Sequence, residues 1–296
     1  MPRLHWHLQR PICPAWSGLL AVVLLCLGNG AAQALTVQLL GLTPGSAPFV
    51  TALQSRLGAA HQLVSQPEAG ADVVVPLHEG VLAEARATRR PLLLLQAAAG
   101  SVALGEGESA IYWAPSLSDQ IRLARKIMPG LRRVGLLAGP PELARAQALR
   151  AALAAQRIEL IVQPAAPALL ARQVAELAGS VDVMLAPVDP QLFNRDTVKA
   201  LLLAAYRQGR VFIGPNAAYV RAGALASLQA TPEALADSVA AAVRVYARDG
   251  AWPSPALVNQ FEVVTNPQVA RALGLRLPEA AALSRAMQSE KGVTWP

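Results

Sequence analysis

Beyond position 26 the sequence contains no cysteine; Cys13 and Cys26 both lie in its opening segment. A thiolate nucleophile, a disulfide framework and a zinc–cysteine centre are therefore excluded from the rest of the chain, and the composition suits an oxidising compartment. Aromatic residues make up only 4%, so platforms for stacking a ligand are scarce. Charged residues make up 15%, against about 25% in ordinary soluble domains. After position 34 the only histidines are His61 and His78, and their separation matches no metal-ligand spacing. No G-x-S-x-G, Walker A or G-x-G-x-x-G motif follows a strand-like run. His78 and Glu79 are chain neighbours, which does not make a catalytic dyad. These absences argue against an enzyme and against a bound cofactor or metal. The net charge is +7, with 26 basic and 19 acidic residues. Its basic residues are scattered except for Arg122, Arg125, Lys126, Arg132 and Arg133, a run that reads as a solvated helix face or as a dock for an anionic surface. Nucleic-acid binding is not expected, for want of aromatics and a concentrated basic stripe.

The N-terminus has the three parts of a secretion signal. Arg3 and Arg10 precede an apolar core at 17–28, and Ala32-Gln33-Ala34 supplies the small-x-small spacing for cleavage after Ala34. The core is shorter than the roughly 20 residues a membrane-spanning helix needs. Expected are a signal peptide over 1–34, a periplasmic location and no stable membrane insertion after cleavage; the alternative is an uncleaved anchor. Removing Arg3 and Arg10 from +7 leaves a mature charge of +5.

From 35 onward, short aliphatic runs alternate with Ala/Leu-rich segments of helical length. The clearest runs are 132–139, 158–164, 181–189 and 210–216, each nearly continuous in Val, Ile and Leu and each ending near Pro or Gly. Such runs are strands buried on both faces, and their alternation with helices at 141–156, 168–178 and 190–208 predicts parallel sheets covered by helices. The same pattern precedes them, with strands at 35–42, 71–76 and 91–96, helices at about 48–60, 79–88 and 116–128, the last capped by Ser116 and ended at Pro129, and a short edge strand at 111–114. Between His61 and Ala71 the first half lacks a full strand–helix unit. After the fourth strand of the second series come a fifth at 224–228, a helix at 231–250 begun by Thr231 and stopped by Gly250, and a strand at 256–266 returning between lobes. Short helices at 267–273 and 278–288 precede a frayed end. The expected organisation is an α/β fold of two Rossmann-like lobes joined by a hinge. The first lobe spans 35–129, completed by about 231–255; the second spans 130–230 with about 256–275; a C-terminal helix and tail occupy 276–296. Crossings fall at 224–231 and 248–257.

Several segments carry a family likeness. Tyr219-Val220-Arg221-Ala222-Gly223-Ala224-Leu225-Ala226, followed by Pro232 and a long helix, resembles a motif of the ABC-transporter substrate-binding family that includes tryptophan/tyrosine-type periplasmic binding proteins. In the expected order, 131–137 resembles the strand opening that family's second lobe, and 181–189 its ligand loop. Likewise 116–130 resembles its inter-lobe helix and 266–278 its C-terminal closure. Asn194-Arg195-Asp196 and Tyr206-Arg207 resemble a Gram-negative offshoot. The likeness spans about 35–290. It implies a fold like the type I periplasmic binding proteins, with a small ligand clamped between lobes. The chain departs from the family at Ala217 and Ala218, where relatives often have an acidic or hydroxyl residue.

Open parallel sheets bind ligands beyond the C-terminal ends of their strands. Thr43, Gly45 and Ser46 follow the first strand, either facing a ligand with backbone N–H groups or forming an ordinary turn. His78 follows the next strand end, as a hydrogen-bonding group or as a half-exposed neighbour of a helix-start Glu79. Gln96 ends a third strand. Asp189 either pairs with a ligand amine or caps the helix from Pro190. Asn216 and Tyr219 follow the last, Tyr219 as a ligand contact or as core. The expected function is capture of a small molecule for an ABC-type importer, with a permease or another envelope receptor as partner. The alternatives are a periplasmic sensor or accessory protein, or an interaction module that binds nothing small.

Overall fold

The computed structural model describes residues 33–65, 70–258 and 260–289. The expected signal core, Cys13, Cys26 and the tail from 290 lie outside the described residues.

Two six-stranded sheets form the frame, and both are parallel except at one strand. The first contains β1 (Thr36–Leu40), β2 (Gln62–Val64), β3 (Val73–Pro76), β4 (Leu92–Gln96), β5 (Glu108–Tyr112) and β11 (Ala256–Leu257), in the order β11-β5-β4-β3-β1-β2. The second contains β6 (Arg133–Ala138), β7 (Glu159–Pro164), β8 (Val183–Leu185), β9 (Val211–Gly214), β10 (Ala226–Ala230) and β12 (Phe261–Thr265), in the order β12-β10-β9-β8-β6-β7. Only β12 runs antiparallel, against β10.

Alternate residues of each strand feed separate cores. In β4, Leu93 and Leu95 join Val37, Leu39, Val73 and Val75 in one core, whereas Leu92 and Leu94 join Leu40 and Val74 in another. The first of these is covered by α1 (Ala47–Leu57) and α8 (Pro232–Asp249), the second by α2 (Leu82–Ala87). In the second sheet, Val134, Leu136, Val183 and Ile213 pack on the side of α3 (Leu117–Ile127), α4 (Pro140–Ala155), α9 (Pro267–Ala272) and α10 (Ala280–Ser289). Leu137, Met184 and Phe212 pack against α5 (Leu170–Ala178), α6 (Val198–Arg207) and α7 (Ala217–Ala222). Covering both faces is what makes these strands read as unbroken aliphatic runs.

The helix signals act as read. Ser116 accepts a hydrogen bond from the Asp119 amide at 3.1 Å, and Thr231 accepts one from the Ala234 amide at 3.1 Å. Gly250 ends α8 in the left-handed conformation at φ 69°, where a side chain is disfavoured.

Several elements differ from the expectations. The helix expected over 190–208 begins only at Val198, because side-chain caps fold 190–197 into turns: Asp189 Oδ1 accepts from the Gln191 and Leu192 amides, and Asn194 Oδ1 from Asp196 and Thr197. The stretch 61–71 carries the three-residue strand β2 at the sheet edge; residues 66–69 lie outside the described residues. The edge strand expected at 111–114 is β5, starting earlier at Glu108 and flanked by β11. The single strand expected over 256–266 is two, β11 in the first sheet and β12 in the second. Helix α3, grouped by sequence with the first lobe, buries Leu117, Ile121, Leu123 and Ile127 in the core of the second sheet. The chain thus passes between the sheets at 113–116, near Thr231, and between Val258 and Phe261.

Arg122 and Arg125 of the basic run are built into the fold, whereas Arg132 and Arg133 keep exposed side chains. Arg122 is only 7% exposed, donates to the Met287 carbonyl at 3.1 Å and faces Asp119 at 3.4 Å. Arg125 donates to Gln156 Oε1 at 2.6 Å, and the Arg132 and Arg133 amides both donate to Asp182.

Candidate functional site

Strand ends from both sheets converge on a cleft. From the first sheet come Glu79, beyond β3, the loop 97–101 beyond β4, and Tyr112 at the end of β5. From the second come Gly139 and the first turns of α4 beyond β6, and 187–191 beyond β8. In the second sheet β6 lies between β8 and β7, so the ends of β6 and β8 straddle the point where strand order reverses, the usual place for a ligand in an open sheet. Gln120 steadies this side, its Nε2 donating to the Ala186 carbonyl at 3.2 Å.

The cleft has two chambers that share Ala98, Glu142, Arg145, Pro187 and Val188 as walls. One, of about 360 Å³, is walled mainly by apolar groups, among them Tyr112, Leu117, Leu149 and Leu257. Ser116 also lines it, but its hydroxyl is engaged with the Asp119 carboxylate at 2.7 Å. The other, of about 380 Å³, is walled by Glu79, Ser101, Glu142, Arg145 and Asp189. Both volumes fall within the range of small-molecule sites, roughly 300–1,000 Å³. Arg145 reaches across, donating through Nη2 to the Ala99 carbonyl of the first lobe and through Nη1 to Glu142 Oε2 at 2.5 Å. Loop 97–101 is a tight turn in which the Ala98 amide donates to Ser101 Oγ and Gly100 takes φ 81°.

Among the sequence candidates, Asp189 lines the polar chamber while also capping the turn after it. Gln96 is 2% exposed and donates to the Val102 carbonyl at 3.5 Å; with His78 it borders a pinched space of about 10 Å³ beneath Glu79. His78 lies over the first βα turn: a Cβ at Gly41 would stand 2.7 Å from its Nε2, and Gly41 takes φ 80°. The positive φ favours glycine at 41, and any side chain there would also have to displace the His78 ring. Thr43 and Ser46 are occupied with each other, the Thr43 amide donating to Ser46 Oγ at 3.1 Å; with Gly45 they form the turn after β1, outside the walls of the two chambers.

Tyr219 takes the structural alternative, and Asn216 serves as a helix cap. Asn216 Oδ1 accepts from the Ala218 and Tyr219 amides and caps α7. Tyr219 is 5% exposed in the core, 6.4 Å from Phe212 between ring centres, with its hydroxyl donating to the Asn194 carbonyl at 3.5 Å. Burial pushes its phenol up to about 12. Glu142, Arg145 and Tyr112 were not among the sequence candidates; the available signal was Gly139-Pro140-Pro141-Glu142 directly after a strand.

Among the described residues no three His, Cys, Asp or Glu side chains assemble as a metal site, and no helix is long and apolar enough to cross a membrane.

Solved structures of low sequence identity share this arrangement. The ligand-free, open substrate-binding protein with adhesive properties from Clostridium difficile is 16% identical, with 83% of this chain and 96% of that one aligned at a TM-score of 0.64. The fold is that of the type I periplasmic binding proteins. A conserved domain protein of Vibrio cholerae, 18% identical, aligns over 86% of this chain and 98% of its own at 0.56. The ABC domain from Streptococcus pneumoniae in complex with L-Trp, 13% identical, aligns over 86% and 98% at 0.55. No protein-family model and no curated protein matches the sequence. The cleft described above lies between the strand ends of the two sheets.

Proposed function

We propose that the chain captures a small solute between its lobes in the periplasm and delivers it to an ABC-type permease. One observation supports this above the others: two adjoining chambers of binding-site size are walled by strand ends of both sheets, so an occupant touches both lobes at once. Three chain passages between the lobes are few enough to act as a hinge, and a solute that contacts both lobes favours the closed arrangement by its extra contacts there. The apolar chamber would take the body of the solute and the polar chamber its charged end, with Asp189 as a ligand contact. Solute-binding neighbours agree with this reading. The N-terminal pattern supports export, with the mature chain starting at Leu35.

The test is mass spectrometry of small molecules released on denaturing protein taken from its native compartment, followed by titration of the recovered solute. Recovery of one solute at near-equal stoichiometry is expected, together with a smaller radius of gyration when it is added back. A chain that releases nothing and keeps its dimensions with every candidate solute is not a capture protein. Sequencing the N-terminus of the exported chain should return Leu35; Met1 would remove the cleavage proposal.

A further inference from the structure

Helix N-termini at strand ends are ordinarily anion sites, because their first N–H groups lack partners and the helix dipole is positive there. In this cleft that property has been taken away. Helix α4 opens with Pro140 and Pro141 after Gly139, so two of its first four backbone donors do not exist. Its third residue is Glu142, whose carboxylate occupies the positive end. The turn after β8 likewise directs its Gln191 and Leu192 amides to Asp189 Oδ1. Glu79 opens the turn beyond β3. Each of these three loops therefore brings a carboxylate to the polar chamber. Among the described residues Arg145 is the one cation on its walls, and it is already held by Glu142 and the Ala99 carbonyl. The balance is three carboxylates against one guanidinium, in a chain whose overall charge is +7. The acidity belongs to the cleft and not to the protein as a whole.

Resting on the capture reading above, we infer that the solute is a small organic cation with an apolar body and no carboxylate or phosphate of its own. Its body fills the chamber beside Tyr112, Leu149 and Leu257, and its ammonium faces Glu142 and Asp189. A metal ion is disfavoured, since the carboxylates around the chamber do not group as metal ligands.

The inference is tested with three probes that share a phenylethyl body: 2-phenylethylamine, phenylalanine and 3-phenylpropionate, titrated calorimetrically into the mature chain at one pH and ionic strength. The amine is expected to bind at least about tenfold more tightly than the other two, the scale of one charged hydrogen bond. Asp189→Asn keeps an oxygen to cap the turn and removes only the charge; it and Glu142→Gln should each weaken the amine about tenfold or more. Glu142→Gln should also improve 3-phenylpropionate, by releasing Arg145. Glu262→Gln, on the exposed side of β12, should change nothing. Tighter binding of phenylalanine or phenylpropionate, or an amine affinity indifferent to both cleft substitutions, overturns the inference and leaves capture intact. If none of the three titrates, the solute recovered by mass spectrometry decides. A cation supports the inference and an anion or zwitterion overturns it, whereas no recovered solute overturns this inference and the capture reading together.

Discussion

Arg145 on the second lobe donates a hydrogen bond to the carbonyl of Ala99 on the first. The same guanidinium is braced by Glu142, one helical turn back, so the reach across the cleft is anchored at its base. This bond ties the two lobes to each other. Arg145→Ala should therefore let the ligand-free lobes separate further. Spin labels on the exposed faces of the two lobes should report a longer and broader distance distribution than in the parent. An unchanged distribution would mean that the passages between lobes alone set the opening.

Asp189 has two tasks that different substitutions separate. Asp189→Ala removes the acceptor for the Gln191 and Leu192 amides and should cost about 1 kcal/mol in a denaturation curve. Asp189→Asn retains that acceptor and should lie within about 0.5 kcal/mol of the parent. Equal losses in the two variants would show that the cap contributes nothing measurable.

Tyr219 is expected to matter for stability and not for binding. Tyr219→Ala empties a packed site and should cost about 3–5 kcal/mol. Tyr219→Phe forfeits the hydroxyl's long hydrogen bond to the Asn194 carbonyl and its contact with the Thr197 side chain, and should cost about 1 kcal/mol. Gly214→Ala would set a methyl 2.4 Å from Tyr219 Cβ and should cost at least about 1–3 kcal/mol by overpacking. A solute affinity that falls in Tyr219→Phe would place the residue in the site after all.

His61 accepts a hydrogen bond from the Leu35 backbone nitrogen through Nδ1, at 3.2 Å, and so needs its neutral form. Burial, and next the nearby Arg244, hold its pKa below the ordinary 6.5. A basic group depressed on folding binds its proton more readily in the unfolded chain. Its contribution is therefore complete above about pH 6.5 and is lost as pH falls through the folded value. The melting temperature should drop between pH 7.5 and pH 5, and His61→Gln should flatten that part of the profile. A profile identical in parent and variant would assign the acid sensitivity to other groups.

The frame of the fold was legible because burial on both faces leaves an unmistakable trace: VVVP and LLLLQ admit no solvated side. Capping residues were legible too, at Ser116 and Thr231, whereas the cap at Asn216 was read only as a site candidate. What escaped was short or locally overridden. Strand β2 has three residues beginning with an exposed Gln62, too few to show a period. The turns at 190–197 follow from Asp189 and Asn194 competing for amides that a helix would use. The site was only half legible. Treating every strand end as equal placed Thr43 and Asn216 beside Asp189, but the walls come from β3, β4 and β5 of one sheet and β6 and β8 of the other. Glu142 and Arg145 were hidden in an alanine-rich helix that reads as core.

Helix α8 covers the core of the first sheet, yet it is made of residues 232–249, whereas the strands it covers begin at Thr36. Arg56 on α1 meets Asp237 on α8 at 2.8 Å, across nearly the whole span of the lobes. The order of synthesis is thus not the order in which the cores close. The second core has most of its parts in one uninterrupted stretch, while the first stays open until the chain is almost complete. Contacts so distant in sequence form slowly, since the loop must close before they stabilise anything. A chain that leaves its first half unfinished until the end remains threadable for longer, which would suit the export proposed above.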